Sequence, residues 1–163
     1  MRPHEIFASM PPEQTTAFFG TLSDECPAVF QQAVHAASLA MKSRPRYLLK
    51  QPLEKQALAV RRALARVAAG PLAEEILASY FIECRKEVLE AWLDRVGLEH
   101  ENGVLKENAP EPPDPAQLAE HVAGYLDESD DPDRPLLLRA FGAQSSIDWP
   151  ELDGLAKAHP AKA

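Results

Sequence analysis

Apolar residues along this chain recur at spacings of three and four almost throughout, the period of helices that bury one face. The longest such stretch runs from Pro71 to Leu98, with no glycine or proline inside it before Gly97. In it Leu77, Tyr80, Phe81, Cys84, Val88, Ala91 and Trp92 share one face, widened by Ile82, Leu89, Leu93 and Val96. This pattern predicts one long, largely buried helix. Ahead of it, Leu53, Ala57, Val60, Leu64 and Val67 predict a helix over 52–69, ended by Gly70 as Pro71 opens the next. So short a link makes the two helices antiparallel neighbours.

The remaining chain is punctuated by proline, and helix first turns are where prolines cost no hydrogen bond. Ile6 and Phe7 mark a short first helix, Phe18, Phe19 and Leu22 a second after Pro11 and Pro12, and Phe30, Val34, Ala37 and Met41 a third opened by Pro27. In the connector between Pro45 and Pro52, Tyr47, Leu48 and Leu49 are expected to pack inward. Asn102-Gly103 between Leu98 and Leu105 signals a tiny hairpin, and ENAPEPPDP, with its run of prolines, an extended strap. Beyond it, Leu118, Val122, Tyr125 and Leu126 form one helix face, Leu136 to Phe141 an almost wholly apolar run, and Asp148 and Glu151 the spacing of a capping box. The final KAHPAKA is expected to fray.

The fold class that follows is all-α: an irregular bundle of six to eight helices around an antiparallel pair, with at most one small β-hairpin. At 163 residues and 45% hydrophobic composition, the expectation is one domain: a helical core over 1–105, a proline-rich strap over 106–115, and helices of 116–163 packing back on that core. No apolar run approaches membrane-spanning length and no signal sequence is visible, so a cytoplasmic protein with no membrane partner is expected.

Charge changes the picture by its segregation. The net charge is −8, yet 42–66 holds eight bases against the single acid Glu54, while 107–133 holds nine acids and no Lys or Arg. Such a chain pairs these segments or offers them to partners. Arg44, Arg46, Lys50, Arg62 and Arg66 are the candidate partner-binding residues, Arg62 and Arg66 lying one helical turn apart.

Glu83, Glu87, Glu90 and Asp94 fall within roughly 60° on the helical wheel and are the candidate metal-binding carboxylates. The Glu-x-x-His pairs of a di-iron bundle and the HExxH of zinc hydrolases are absent, as are GxSxG, GxGxxG and Walker sequences. No catalytic residue and no cofactor is assigned. Cys26 and Cys84 have no metal spacing and read as reduced thiols, and His35 as a solvated histidine. The leading functional reading is a non-enzymatic interaction protein, an adaptor or regulator binding a protein partner or a second copy of itself, with the apolar surplus of 136–141 contributing. Two alternatives remain: a small carboxylate-based metal protein or enzyme using the acidic stripe with His100 or His121, and nucleic-acid binding through 42–66.

Overall fold

Seven helices of this protein begin as its prolines require, with Pro3, Pro12, Pro27, Pro45, Pro71, Pro115 and Pro150 each in the first two helical positions. The first amides of a helix have no partner within it, so proline's missing N–H costs nothing there. The computed structural model describes residues 1–159. In these it contains α1 (Pro3–Ser9), α2 (Pro12–Glu25), α3 (Pro27–Ala40), α4 (Pro45–Leu49), α5 (Leu53–Leu64), α6 (Gly70–Ser79), α7 (Lys86–Arg95), α8 (Pro115–Asp127), α9 (Asp133–Ala143) and α10 (Pro150–Ala158). A hairpin of β1 (His100–Glu101) and β2 (Val104–Leu105) is the only sheet among the described residues. The class is therefore all-α, with ten helices in place of six to eight. None is long and apolar enough to cross a membrane. The chain divides into two compact units: Arg2 to Cys84, and Arg85 onward together with Met1.

In the 2–84 unit, α5 packs against α2 and α3, and α1 against α6 and α5. Its centre is aromatic. Phe18 stacks on Tyr80 with ring centroids 4.0 Å apart and meets Phe19 and Phe7 edge-on at 4.9 and 5.7 Å. Ala57, Val60 and Leu64, fully buried on α5, complete the interior. Arg61 donates from Nε to the Phe7 carbonyl and from Nη2 to the Ala8 carbonyl, both at 3.0 Å. These are end carbonyls of α1 with no partner inside that helix, so the guanidinium caps it.

In the 85–159 unit, α7 packs against α8 and α9, and α10 against α9 and α8. Trp92 is fully buried between Tyr125 and Phe141, at 5.3 and 6.1 Å between ring centroids. Phe141 in turn meets Trp149 at 5.1 Å, and the Trp149 indole N–H donates to the Pro110 carbonyl at 2.8 Å. That bond fastens the proline strap to the core. The Tyr125 hydroxyl donates to the Val88 carbonyl at 2.8 Å, and burial raises its pKa. At the hairpin, Asn102 and Gly103 both take positive φ, 53° and 86°, as a two-residue type I′ turn needs.

The structure corrects several expectations. The stretch 71–98 is not one helix: after α6 the chain passes through a π-helical turn, Tyr80–Cys84, and Arg85 takes a non-helical φ of −129° and ψ of 44° before α7 begins. No proline or glycine marks the break. Tertiary contacts hold it, with Tyr80 stacked on Phe18 on one side and Arg85 drawn to Asp131, Asp133 and Glu87 on the other. The helix expected over 52–69 ends at Leu64, Arg66 is extended, and Val67–Ala69 forms a 3-10 turn. Pro71 forbids one continuous helix across this region, because its ring would clash with the carbonyl of Val67. Gly70 starts α6 with helical φ and ψ instead of terminating α5.

Further corrections concern burial and capping. Met41, Tyr47, Leu49, Leu53 and Val67, all expected inside, are exposed. The run Leu136 to Phe141, expected to offer apolar surface to a partner, is instead the buried interior of α9: Leu136, Leu137, Leu138, Ala140 and Phe141 are all core. Asp148 and Glu151 form no capping box, since Trp149 is the residue preceding α10 and no side chain caps it. Residues 160–163 of the end expected to fray lie outside the described residues.

Candidate partner-binding face

The corner joining α3 to α4 and α5 holds three of the five candidate partner-binding residues, Arg44, Arg46 and Lys50. At the end of α3 the Ser43 N–H donates to the Ser38 carbonyl at 2.9 Å and the Lys42 N–H to the Leu39 carbonyl at 3.2 Å. These two bonds are the Schellman closure of a helix. Its pivot residue sits in the left-handed region where glycine is favoured, yet the pivot here is Lys42, with φ 52°. Arg44 then runs extended, as the residue before a proline must, and Pro45 opens α4. The Gln56 side-chain amide donates to the Gln51 carbonyl at 2.7 Å and the Leu49 carbonyl at 3.3 Å, which fixes the far end of the corner.

In a single helical turn, successive residues point about 100° apart, so only one of Tyr47, Leu48 and Leu49 can face inward. Leu48 does, at 3% exposure, leaving Tyr47 at 61% and Leu49 at 46%. Leu39 and Met41, from the end of α3, add two more exposed apolar side chains. Lys42, Arg44, Arg46 and Lys50 are interleaved with them, all exposed. Among the described residues, none of these four bases makes an ion pair. Of the five residues that charge alone singled out, Arg44, Arg46 and Lys50 are thus brought to one corner. Arg62 is exposed on α5, and Arg66 lies past its end, so the two do not form a pair on one helix. The apolar half of this face escaped the sequence reading. One signal was present: Leu39 lies about 140° from Val34 on the wheel of α3, off its core stripe.

The acidic candidates are arranged differently. Glu83 ends up on the π-helical turn of the 2–84 unit, while Glu87, Glu90 and Asp94 lie on α7. Glu87 accepts from Arg85 at 3.0 Å, Glu90 pairs with Lys86 at 3.7 Å, and Asp94 meets His100 Nε2 at 2.7 Å. His100 Nδ1 accepts the Gly103 N–H at 3.2 Å, which leaves Nε2 to donate to Asp94. Among the described residues, no three His, Cys, Asp or Glu side chains are grouped as a metal ion needs.

Ion pairs organise the rest of that unit. Arg85 donates to Asp133 at 2.7 Å and also to Asp131 and Glu87. Burial lowers its pKa, but Asp133 and Asp131 outweigh that and leave it raised, so the guanidinium is firmly charged. Arg134 lies 4.5 Å over the Tyr125 ring and shares Glu128 with Arg95, both at 3.1 Å. The Arg134 hydrogen bond, then that of Arg95, lowers the Glu128 pKa. Arg139 is half-buried and its pKa falls through burial, which Asp153 partly offsets.

Cys84 is buried, and its thiol is pushed up to about 12, first by burial and then by the neighbouring Cys26 and Glu25. A thiol held protonated in this way is a poor nucleophile. No family model matches the chain, and comparison with curated proteins and with solved structures gives no match.

Proposed function

We propose that this chain is a non-enzymatic interaction protein of the cytoplasm, an adaptor or regulator that engages a protein partner through the α3–α4 corner. One observation carries this reading. Four exposed apolar side chains, Leu39, Met41, Tyr47 and Leu49, lie in the same short stretch as four exposed bases that have no ion pair among the described residues. Exposed apolar and basic side chains are concentrated in residues 39–50, and apolar surface rimmed by charge is what contact sites present. Backbone conformation supports the same reading. A lysine in the left-handed region costs about 1 kcal/mol that glycine would not, and unfavourable conformations of this kind concentrate at functional surfaces.

The test is site-specific photo-crosslinking in the cells that make the protein. A benzophenone side chain at position 47 is expected to give discrete protein adducts that a benzophenone at Glu13, on exposed α2 surface, does not. Absence of any adduct specific to position 47 overturns the reading.

A further inference from the structure

We infer that the partner of the α3–α4 corner presents an acidic segment whose carboxylates flank apolar anchors, and that this narrow acidic ligand, not an extended anionic surface, is what the corner selects. The inference rests on the reading of the corner as a partner-binding face and adds the chemistry of the partner.

Charge complementarity supplies the sign. Lys42, Arg44, Arg46 and Lys50 are exposed and make no ion pair among the described residues, and Glu54 is the only acid between Lys42 and Arg66. In the 85–159 unit Arg85, Arg95 and Arg134 each meet carboxylates within 3.1 Å. Arg44 and Arg46 can each take a carboxylate through two parallel N–H donors, a geometry lysine lacks.

Screening then decides between anionic partners of different size. At physiological ionic strength charges are felt over about 8 Å, so a peptide lying along the corner senses chiefly the charges of the corner itself, four exposed bases and the single acid Glu54. A membrane or a nucleic-acid duplex extends well past that distance. Most of its charge therefore gains nothing from the four bases of the corner.

The apolar residues set the second half of the recognition. Tyr47 offers a rigid ring with 61% of its surface free, and Leu39 stands 69% exposed beside the lysine that turns the chain. A purely ionic ligand would leave both in water. A ligand with leucine or phenylalanine between its acids covers them, and aromatic and arginine side chains at the centre of a contact are the groups that carry binding energy.

The probe is a fluorescein-labelled peptide of about 14 residues with Leu and Phe every three or four positions among Asp and Glu, titrated against the full chain by anisotropy. Binding is expected at about 50 mM NaCl, weaker by at least about tenfold at about 300 mM as the charges are screened. The double variant R44E/R46E is expected to abolish it. The Y47S/L49S variant is expected to weaken it about fivefold or more, with the helical circular dichroism of both variants unchanged. The inference is overturned by absence of peptide binding at low salt, or by binding that survives R44E/R46E. It is equally overturned by preferential binding of vesicles containing about 30% phosphatidylserine or of duplex DNA, or by R44E/R46E dissociating a self-associated form in sedimentation while peptide does not bind. Crosslinked adducts from position 47 combined with no peptide binding sink the acidic partner alone; absence of adducts sinks the interaction reading beneath it.

Discussion

In the 85–159 unit arginines are consumed internally, Arg85 by Asp131, Asp133 and Glu87, and Arg95 and Arg134 by a shared Glu128. The basic residues of the 2–84 unit are used otherwise. Arg61 caps α1 through two backbone carbonyls, and those of the α3–α4 corner face solvent beside exposed apolar side chains. The difference follows from where the acids lie. The acid-rich segment 107–133 sits wholly in the second unit, within reach of its arginines, while segment 42–66 has Glu54 alone. The first unit is held by its aromatic interior and the second by an aromatic interior plus a polar network. In the first unit a cluster of bases is left facing solvent.

The strongest way to break this comparison is to attack the aromatic interior. Phe18→Ala removes a ring packed on Phe7, Phe19 and Tyr80 and is expected to cost about 4 kcal/mol. Amide hydrogen exchange in α2 and α5 reads that loss, and unchanged protection there would refute the aromatic centre. Next in size, Arg85→Met leaves Asp131 and buried Asp133 facing each other without their cation. The expected cost is about 2 kcal/mol in urea unfolding, and about 0.5 M NaCl should narrow the gap between variant and parent. An Arg85→Met protein as stable as the parent would mean that the network does not hold the 85–159 unit.

Gly103→Ala combines a positive φ with a Cβ that would approach Leu89 Cδ2 to 2.8 Å, so about 1–2 kcal/mol is expected, again by urea unfolding. Cys84 gives a pH test. Its thiol holds its proton more tightly folded, at about 12, than unfolded, at about 8.5, so its contribution is complete below the lower value and is lost as pH climbs toward the higher. The fall in melting temperature above about pH 9 should be shallower in Cys84→Ala than in the parent. The smallest effect is the most informative about function. Lys42→Gly relieves the left-handed lysine and is expected to raise stability by about 1 kcal/mol while weakening capture of the acidic peptide, a trade of stability against binding. A destabilised Lys42→Gly would remove the strain argument.

How far the sequence reached can be judged from particular elements. Phe18, Phe19 and Leu22, then Leu118, Val122, Tyr125 and Leu126, were legible as buried faces because period and hydrophobicity agreed. The hairpin was legible because Asn-Gly has one conformational use. The break at Tyr80–Arg85 was not, since every residue there tolerates a helix and only long-range partners pull it open. The candidate face was half legible. The bases were visible in the composition of 42–66, but the exposure of Tyr47 and Leu49 was hidden, because the sequence around a five-residue helix does not say which residue turns inward.

What the sequence determined by itself was therefore local: the all-α class, the proline-started helices, the apolar faces and the segregation of charge, all governed by interactions across a few residues. Tertiary structure alone decided which charges are spent and which remain. Ion pairing joins residues as far apart as Arg85 and Asp133, and no local pattern records that Arg44, Arg46 and Lys50 find no such partner among the described residues.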